Sequence, residues 1–263
     1  MLTSPFDVMA RSFDRYRALP NGVAETARTV ILDALASGPN GGARPRPRLL
    51  DVGAGTGRIG WPFLAAGDDY VGVDLSCGML RAFACRCGRD HPRALVQADG
   101  CALPFANAVF DAVLLVQVFG GLQDWRRLVD EGQRVLRPDG ALMLGRTVRP
   151  DEGVDARMRQ HLVALLGTTR ERENTREAAE RYLSAIASTA SHLVAAVWRV
   201  ECSPGAFLDR HTGGARFLQL PQAVREDVIH ALTLWAQTQF GGLDEMFLET
   251  HRFEMRVFKF SGG

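Results

Sequence analysis

The chain has 263 residues, with 31 basic and 30 acidic side chains and a formal net charge of +1. This balance gives no electrostatic basis for binding nucleic acid or an anionic membrane surface, and we expect neither as a partner. No apolar run approaches the ~20 residues that a membrane-spanning helix needs, and the first residues lack the pattern of a secretory signal. We therefore expect a cytoplasmic protein whose five cysteines are reduced.

Helices and strands are predicted to alternate over most of the first half of the chain. Two helices are predicted at 6–18 and 23–37, followed by a Gly- and Pro-rich linker at 40–47. From Leu49 to about Val148 the alternation is typical of a parallel sheet built from βαβ units. The strands are predicted near 48–52, 70–74, 94–98, 110–116 and 140–147, and the helices between them near 58–66, 76–87 and 123–136.

The end of the first predicted strand carries the most informative pattern. Asp51 closes the strand, and Gly53, Gly55 and Gly57 follow before a helix begins. Glycines allow a tight turn and let backbone N–H groups approach a ligand, and doubly wound sheets bind ligands beyond the carboxyl ends of their strands. Together with Gly60 the loop also satisfies the dinucleotide pattern G-x-G-x-x-G, which by itself leaves a nicotinamide-dependent dehydrogenase open.

Carboxylates at the next two strand ends help to separate these alternatives. Asp74 ends the second predicted strand, where it can accept hydrogen bonds from both hydroxyls of a ribose. Asp99 ends the third, where it can accept from an adenine amino group, and a dehydrogenase has no need of it. The turn Arg-Val-Leu-Arg-Pro-Asp-Gly at 134–140 then precedes the fifth strand.

In this order and spacing, residues 45–148 resemble the class I S-adenosylmethionine (SAM)-dependent methyltransferases. They are most similar to the branch that contains the ubiquinone and menaquinone C-methyltransferases and many small-molecule methyltransferases. The resemblance implies an α/β fold, with a doubly wound, mostly parallel seven-stranded sheet of the Rossmann-like methyltransferase type and helical lid insertions. It also implies an enzyme that methylates a small-molecule acceptor, with S-adenosylhomocysteine as product and with no metal.

The resemblance further assigns cofactor contacts to residues of this chain. Asp51 would lie near the amino or sulfonium end of SAM, Asp74 at the ribose and Asp99 at the adenine. Val116 and Gln117 would lie where the methyl group faces the acceptor, although Met79, assigned to the adenine wall, could equally belong to the core. The complete predicted cofactor-binding set is Asp51, Gly53, Ala54, Gly55, Gly57, Asp74, Leu75, Met79, Asp99, Gly100, Cys101, Val116 and Gln117.

The sequence assigns no catalytic residue and no metal site. Many relatives carry a histidine in the segment that matches 116–125, and this chain has none there. His161 and His211 are the better guesses for a general base, since both fall in the candidate lid. Cys85 and Cys87 have no second pair to complete a tetrahedral metal site.

After Pro150 the sequence predicts mainly helices, each with apolar residues at helical spacing. Helices are predicted at 153–166, 173–187 and 222–240, a sixth strand at 193–200 and a last strand around 253–257. The predicted domains are 1–47 (N-terminal helices and linker), 48–149 (SAM-binding core) and 150–263 (helical lid insertions plus the last two strands). By resemblance, the segments 150–190 and 204–246 would set substrate specificity.

Two other functions stay open from the sequence. The glycine pattern allows an NAD(P)-dependent oxidoreductase, although no proton-donating residue is found near Gln117. The missing histidine allows a SAM-binding protein without catalysis. The sequence does not indicate the acceptor, the atom that is methylated or the oligomeric state.

Overall fold

The computed structural model describes residues 19–36, 46–87, 95–120, 122–167, 175–212, 217 and 220–260. The helix predicted at 6–18 and most of the predicted linker lie outside these residues. The helices are α1 (Val23–Ala36), α2 (Trp61–Ala65), α3 (Cys77–Cys87), α4 (Trp125–Val135), α5 (Val154–Leu165), α6 (Thr175–Ile186), α7 (Pro204–Thr212) and α8 (Gln222–Phe240). The strands are β1 (Leu49–Val52), β2 (Tyr70–Asp74), β3 (Leu95–Gln97), β4 (Phe110–Val116), β5 (Leu136–Val148), β6 (Thr189–Cys202) and β7 (Phe247–Lys259).

The described strands form a seven-stranded sheet in the order β3-β2-β1-β4-β5-β7-β6. β1 pairs in parallel with β2 on one side and with β4 on the other, and the pairs β2–β3 and β4–β5 are also parallel. The strand order reverses direction at β1, which creates the crevice where sheets of this kind bind ligands. The mostly parallel, doubly wound sheet predicted from the sequence is confirmed.

The central strands are mostly apolar, as expected where helical crossovers cover both faces of a parallel sheet. Leu49 and Leu50 in β1, and Leu114 and Leu115 in β4, are fully buried. Strands of this composition have no solvent-facing side. Polar side chains of the inner strands therefore concentrate at the strand ends, where Asp51 and Asp74 lie.

Residues of the described segments divide into two compact units. The first unit draws on 1–147, 173–196 and 253–263, and the second on 148–172 and 197–252. The second unit has a core of its own, in which α5, α7 and α8 contribute apolar side chains. Its buried members are Val154, Met158, Phe207, Leu232, Ala236 and Phe240.

Several elements differ from the sequence-based prediction, and β6 and β7 are both longer than predicted. α2 begins at Trp61 rather than near 58, because the glycine loop continues to Gly60 and Pro62 lies in the first helical turn. β5 begins at Leu136 rather than at 140, and α7 was not predicted as a separate helix. Among the described helices, none is both long and apolar enough to cross a bilayer.

Candidate functional site

The glycine loop at 53–57 is joined to the neighbouring strand by backbone hydrogen bonds. The N–H groups of Gly53 and Ala54 both donate to the carbonyl oxygen of Val73, at 2.7 and 2.9 Å. The N–H of Gly57 donates to the carbonyl oxygen of Ala54 at 3.0 Å, which closes a tight turn. The loop is therefore fixed to the end of β2 before any ligand binds.

Gly57 and Gly55 differ in the space that surrounds them. Gly57 has a φ of +79°, and a Cβ there would lie 2.1 Å from Cδ2 of the buried Phe83. Gly55 also has a positive φ, of +57°, but a Cβ there would meet nothing closer than 3.9 Å. The fold requires a glycine at 57, whereas the space in front of Gly55 is open and accessible to a ligand.

Asp74 links the end of β2 to the glycine loop. Its Oδ2 accepts a hydrogen bond from the N–H of Gly55 at 2.9 Å, and its Oδ1 accepts from the N–H of Ser76 at 2.8 Å. These two bonds fix the Asp74 carboxylate between the glycine loop and the start of α3.

Asp51 is buried under the loop, with 2% of its surface exposed. Its Oδ2 accepts a hydrogen bond from the hydroxyl of Tyr70 at 2.7 Å. Its Oδ1 is buried and has no hydrogen-bond partner among the described residues. Burial raises the pKa of Asp51 to about 7; the nearby charge of Asp74 also raises it, and the Tyr70 hydrogen bond opposes both. This carboxyl group can therefore still bind a donor or a cation.

The third strand end brings Asp99, Gly100 and Cys101 beside Asp74. The N–H of Ala98 donates to the carbonyl oxygen of Asp74 at 3.1 Å, and Oδ1 of the exposed Asp99 accepts from the N–H of Cys101 at 2.8 Å. Burial raises the pKa of the Cys101 thiol to about 11, with the charges of Asp99 and Asp124 adding to the effect. Cys101 is thus a neutral thiol at neutral pH.

Of the two side chains predicted to line the adenine, one is exposed and the other is buried. Leu75, just after β2, is 36% exposed and remains open to a ligand. Met79 is 3% exposed, and its N–H donates to Oγ of Ser76 at 3.1 Å within the first turn of α3. The core interpretation weighed for Met79 agrees with this burial.

The end of β4 has an unusual backbone conformation. Gln117 has a φ of +55°, which non-glycine residues rarely adopt outside turns and functional sites. Its Oε1 accepts from Nη2 of Arg58 at 2.7 Å, and its Nε2 donates to Oγ1 of Thr147 at 3.1 Å. The sequence analysis missed Arg58 and Thr147. The position of Arg58 directly after Gly57 is the signal that could have indicated the first of them.

The two histidines suggested as bases lie in the second unit. Burial lowers the pKa of His211 to about 4, and its Nδ1 lies 2.9 Å from the carbonyl oxygen of Phe207. The ring of His161 stacks on Trp235 with 4.2 Å between centroids, and burial lowers its pKa. Both rings make packing or hydrogen-bond contacts within the second unit. Their assignment as bases stays a prediction.

A cluster in the second unit was also missed. Cys202, Glu249 and His251 bring one potential metal-ligating atom each to within 4.8 Å of one another. Cys202 ends β6, whereas Glu249 and His251 alternate along β7 and so share a face of that strand. The sequence analysis considered only Cys85 and Cys87, because Cys202 is remote in sequence from the other two residues.

Comparison with known proteins finds similarity to methyltransferases. Residues 50–144 match the family described as a methyltransferase domain. A demethylmenaquinone methyltransferase of Renibacterium salmoninarum is 33% identical over 150 residues, which are 56% of this chain and 59% of that protein. The chain spans roughly half the length of the curated relatives that it matches.

Solved structures show the same fold at lower identity. A putative type II methyltransferase of Anaeromyxobacter dehalogenans superposes with a TM-score of 0.58 at 20% identity, over 90% of this chain and 97% of that one. A Haemonchus contortus phospholethanolamine N-methyltransferase 2, in complex with phosphomonomethylethanolamine and S-adenosylhomocysteine, gives a TM-score of 0.51 at 16% identity. That match covers 97% of this chain and 57% of the other.

The mostly parallel seven-stranded sheet agrees with these structural matches. The resemblance recognised from the sequence is confirmed: residues 50–144 match the methyltransferase domain family, and the fold is that of solved methyltransferase structures.

Proposed function

We propose that this protein is an enzyme that transfers a methyl group from SAM to a small-molecule acceptor. The observation that carries the proposal is the geometry around Gly55. Its N–H is held at 2.9 Å by Asp74, and the space in front of its Cα is open. A loop of this form at the carboxyl ends of β1 and β2 suits a nucleoside whose ribose faces a carboxylate.

The charges at this edge favour SAM over a dinucleotide. Asp51 has an unpaired, buried Oδ1, and Asp74 lies close enough for its charge to raise the pKa of Asp51. A ligand with a cationic amino group would supply the partner that Oδ1 lacks. A pyrophosphate would instead bring negative charge towards two carboxyl groups, which disfavours the oxidoreductase alternative.

In this proposal, the predicted cofactor-binding residues contact different parts of SAM. Asp74 accepts hydrogen bonds from the ribose hydroxyls. Asp99 accepts from the adenine amino group, with the backbone of Gly100 and Cys101 beside it. Leu75 covers the adenine with its exposed apolar surface. Ala54 and the glycines bring the backbone close to the ligand, and Asp51 binds the amino end.

SAM, when bound, supplies an electrophilic methyl group on a sulfonium centre. The remaining work of the chain is to hold the acceptor in line with that group and to exclude water. Val116 is buried at the end of β4, and Gln117 is fixed there by Arg58 and Thr147. These residues would define the side from which the acceptor approaches. A general base is needed only for an acceptor that loses a proton during the attack.

The named relatives support a SAM cofactor and a small acceptor. The curated relative is a demethylmenaquinone methyltransferase, and the Haemonchus enzyme was determined with S-adenosylhomocysteine. The near-neutral charge of the chain adds no reason to expect a nucleic-acid substrate. A cytoplasmic location belongs to the same proposal.

The test is the release of S-adenosylhomocysteine by the full chain, measured with a panel of quinols, phenols, amines and thiols. We expect acceptor-dependent release from at least one class, and at least a tenfold loss of kcat/KM for SAM in Asp74→Asn. Tight SAM binding with no release from any acceptor would support the non-catalytic SAM-binding alternative. Binding of NAD(H) in place of SAM would contradict the cofactor assignment.

A further inference from the structure

Three potential ligand atoms converge within the second unit. The Nε2 of His251 lies 3.0 Å from Oε2 of Glu249 and 3.9 Å from Sγ of Cys202. All three ligand atoms lie within 4.8 Å of one another. Ligand atoms at the usual zinc distances in a tetrahedral site are about 3.3–3.8 Å apart. The two distances to Nε2 of His251 differ from that range by only a few tenths of an ångström.

The same distances argue against a catalytic Cys-His-Glu triad. In such a triad the thiol meets one ring nitrogen of the histidine and the carboxylate orients the other. Here the thiol and the carboxylate both approach Nε2 of His251. Three different side chains directed at one point are typical of a metal site.

The neighbouring backbone holds Glu249 in position. Its Oε1 accepts a hydrogen bond from the N–H of Val154 at 2.7 Å, at the start of α5, which leaves Oε2 directed towards His251. A Cβ at Gly153 would lie 2.7 Å from Oε1, so the glycine provides the room for this carboxylate. Ligating carboxylates in metal sites are commonly oriented by a second hydrogen bond of this kind.

The burial and charge of the cluster suit a cation. Glu249 and His251 are 6% and 7% exposed, whereas Cys202 is partly exposed, which leaves a route for entry. Among the described residues no arginine or lysine pairs with Glu249, because Arg149 and Arg210 pair with Asp155 instead.

We propose that Cys202, Glu249 and His251 bind one divalent transition-metal ion, with zinc as the best match. Thiolate, imidazole and carboxylate are all ligands that Zn²⁺ takes in proteins. Three protein ligands leave a fourth position, which a water molecule fills through the partly exposed side of Cys202. The site does not contribute to the predicted SAM contacts, and the proposal stands independently of methyl transfer.

The test uses the full chain, purified in reductant, stripped with a chelator and titrated with Zn²⁺ in a calorimeter. We expect one equivalent to bind with a dissociation constant of about 1 μM or tighter. Titration with Co²⁺ should give thiolate-to-cobalt charge-transfer absorption. Cys202→Ser should abolish that absorption and weaken Zn²⁺ binding at least about a hundredfold, and His251→Gln should weaken it similarly. Cys85→Ser, which alters an exposed cysteine outside the cluster, is the matched control and should leave both signals unchanged.

Absence of stoichiometric binding to the unaltered chain would overturn the proposal. Unchanged binding in Cys202→Ser and His251→Gln would also overturn it. If either variant fails to fold, X-ray absorption of the zinc-loaded natural chain gives an independent answer. One sulfur ligand together with nitrogen and oxygen ligands supports the site, and a coordination shell without sulfur contradicts it.

Discussion

The glycine loop at 53–57 and the cluster of Cys202, Glu249 and His251 assemble polar groups in different ways. Around the loop, the groups come from the ends of adjacent parallel strands, and backbone N–H groups fix them, as Gly55 does with Asp74. In the cluster, side chains meet one another directly, and a backbone N–H at the start of α5 donates to Glu249. The loop should therefore be most sensitive to changes that the main chain cannot accommodate. The second unit should be most sensitive to the loss of side-chain charge or ligand atoms.

The largest effect should come from Gly57→Ala. The new Cβ would lie 2.1 Å from Cδ2 of Phe83 at a φ of +79°. Left-handed strain and overpacking together should lower the free energy of unfolding by about 3 kcal/mol or more. Urea unfolding followed by circular dichroism measures this. A loss below 1 kcal/mol would show that the loop is less constrained than its contacts indicate.

In the second unit, Asp155→Asn should cost about 2–3 kcal/mol. Asp155 is buried, and its carboxylate pairs with Arg149 at 2.9 Å and with Arg210. Removing the charge leaves two arginines without their partner, and their partial exposure keeps the loss below that of a fully buried pair. The exposed Asp151 serves as control, since Asp151→Asn should change the unfolding free energy by less than about 0.5 kcal/mol. Equal effects of the two variants would contradict the claim that the buried charge of Asp155 stabilises the second unit.

Asp51→Asn should stabilise the ligand-free protein at pH 8 by about 2 kcal/mol. The folded chain binds the Asp51 proton more tightly than the unfolded chain, since burial raises this pKa from 3.8 to about 7. The stabilising contribution of the protonated group is complete below pH 3.8 and is lost as the pH rises through about 7. The advantage of the asparagine variant should therefore grow between pH 5 and pH 8, as measured by urea unfolding at each pH. A difference that does not change with pH would contradict the raised pKa.

The smallest effect on stability, about 1 kcal/mol, is expected from Gly55→Ala. The positive φ disfavours alanine, but no atom lies within 3.9 Å of the new Cβ. The added methyl group occupies the space assigned to SAM, so the affinity for SAM should fall at least tenfold while the fold persists. Calorimetric titration alongside urea unfolding separates the two effects. Unchanged SAM affinity would show that SAM does not occupy the space in front of Gly55.

Local patterns account for what the sequence predicted well. The apolar strands, the alternating glycines and the carboxylate at the end of β2 each depend on neighbours within a few positions. The contacts of Gln117 with Arg58 and Thr147 could not be predicted in this way, because they join side chains from separate loops and strands. The same holds for Cys202 with His251, which are 49 positions apart along the chain. Asp99 and Leu75 are exposed, and their roles as adenine contacts stay predictions.

The central claim is that the edge around Gly55 and Asp74 binds SAM. The most direct measurement is calorimetric titration of the full chain and of Asp74→Asn with SAM, S-adenosylhomocysteine and NAD(H). Asp69→Asn, an exposed change just before β2, is the matched control. We expect SAM and S-adenosylhomocysteine to bind the natural chain and the control equally, at least tenfold weaker binding to Asp74→Asn, and no binding of NAD(H). Binding of NAD(H) alone, or unchanged SAM affinity in Asp74→Asn, would contradict the account.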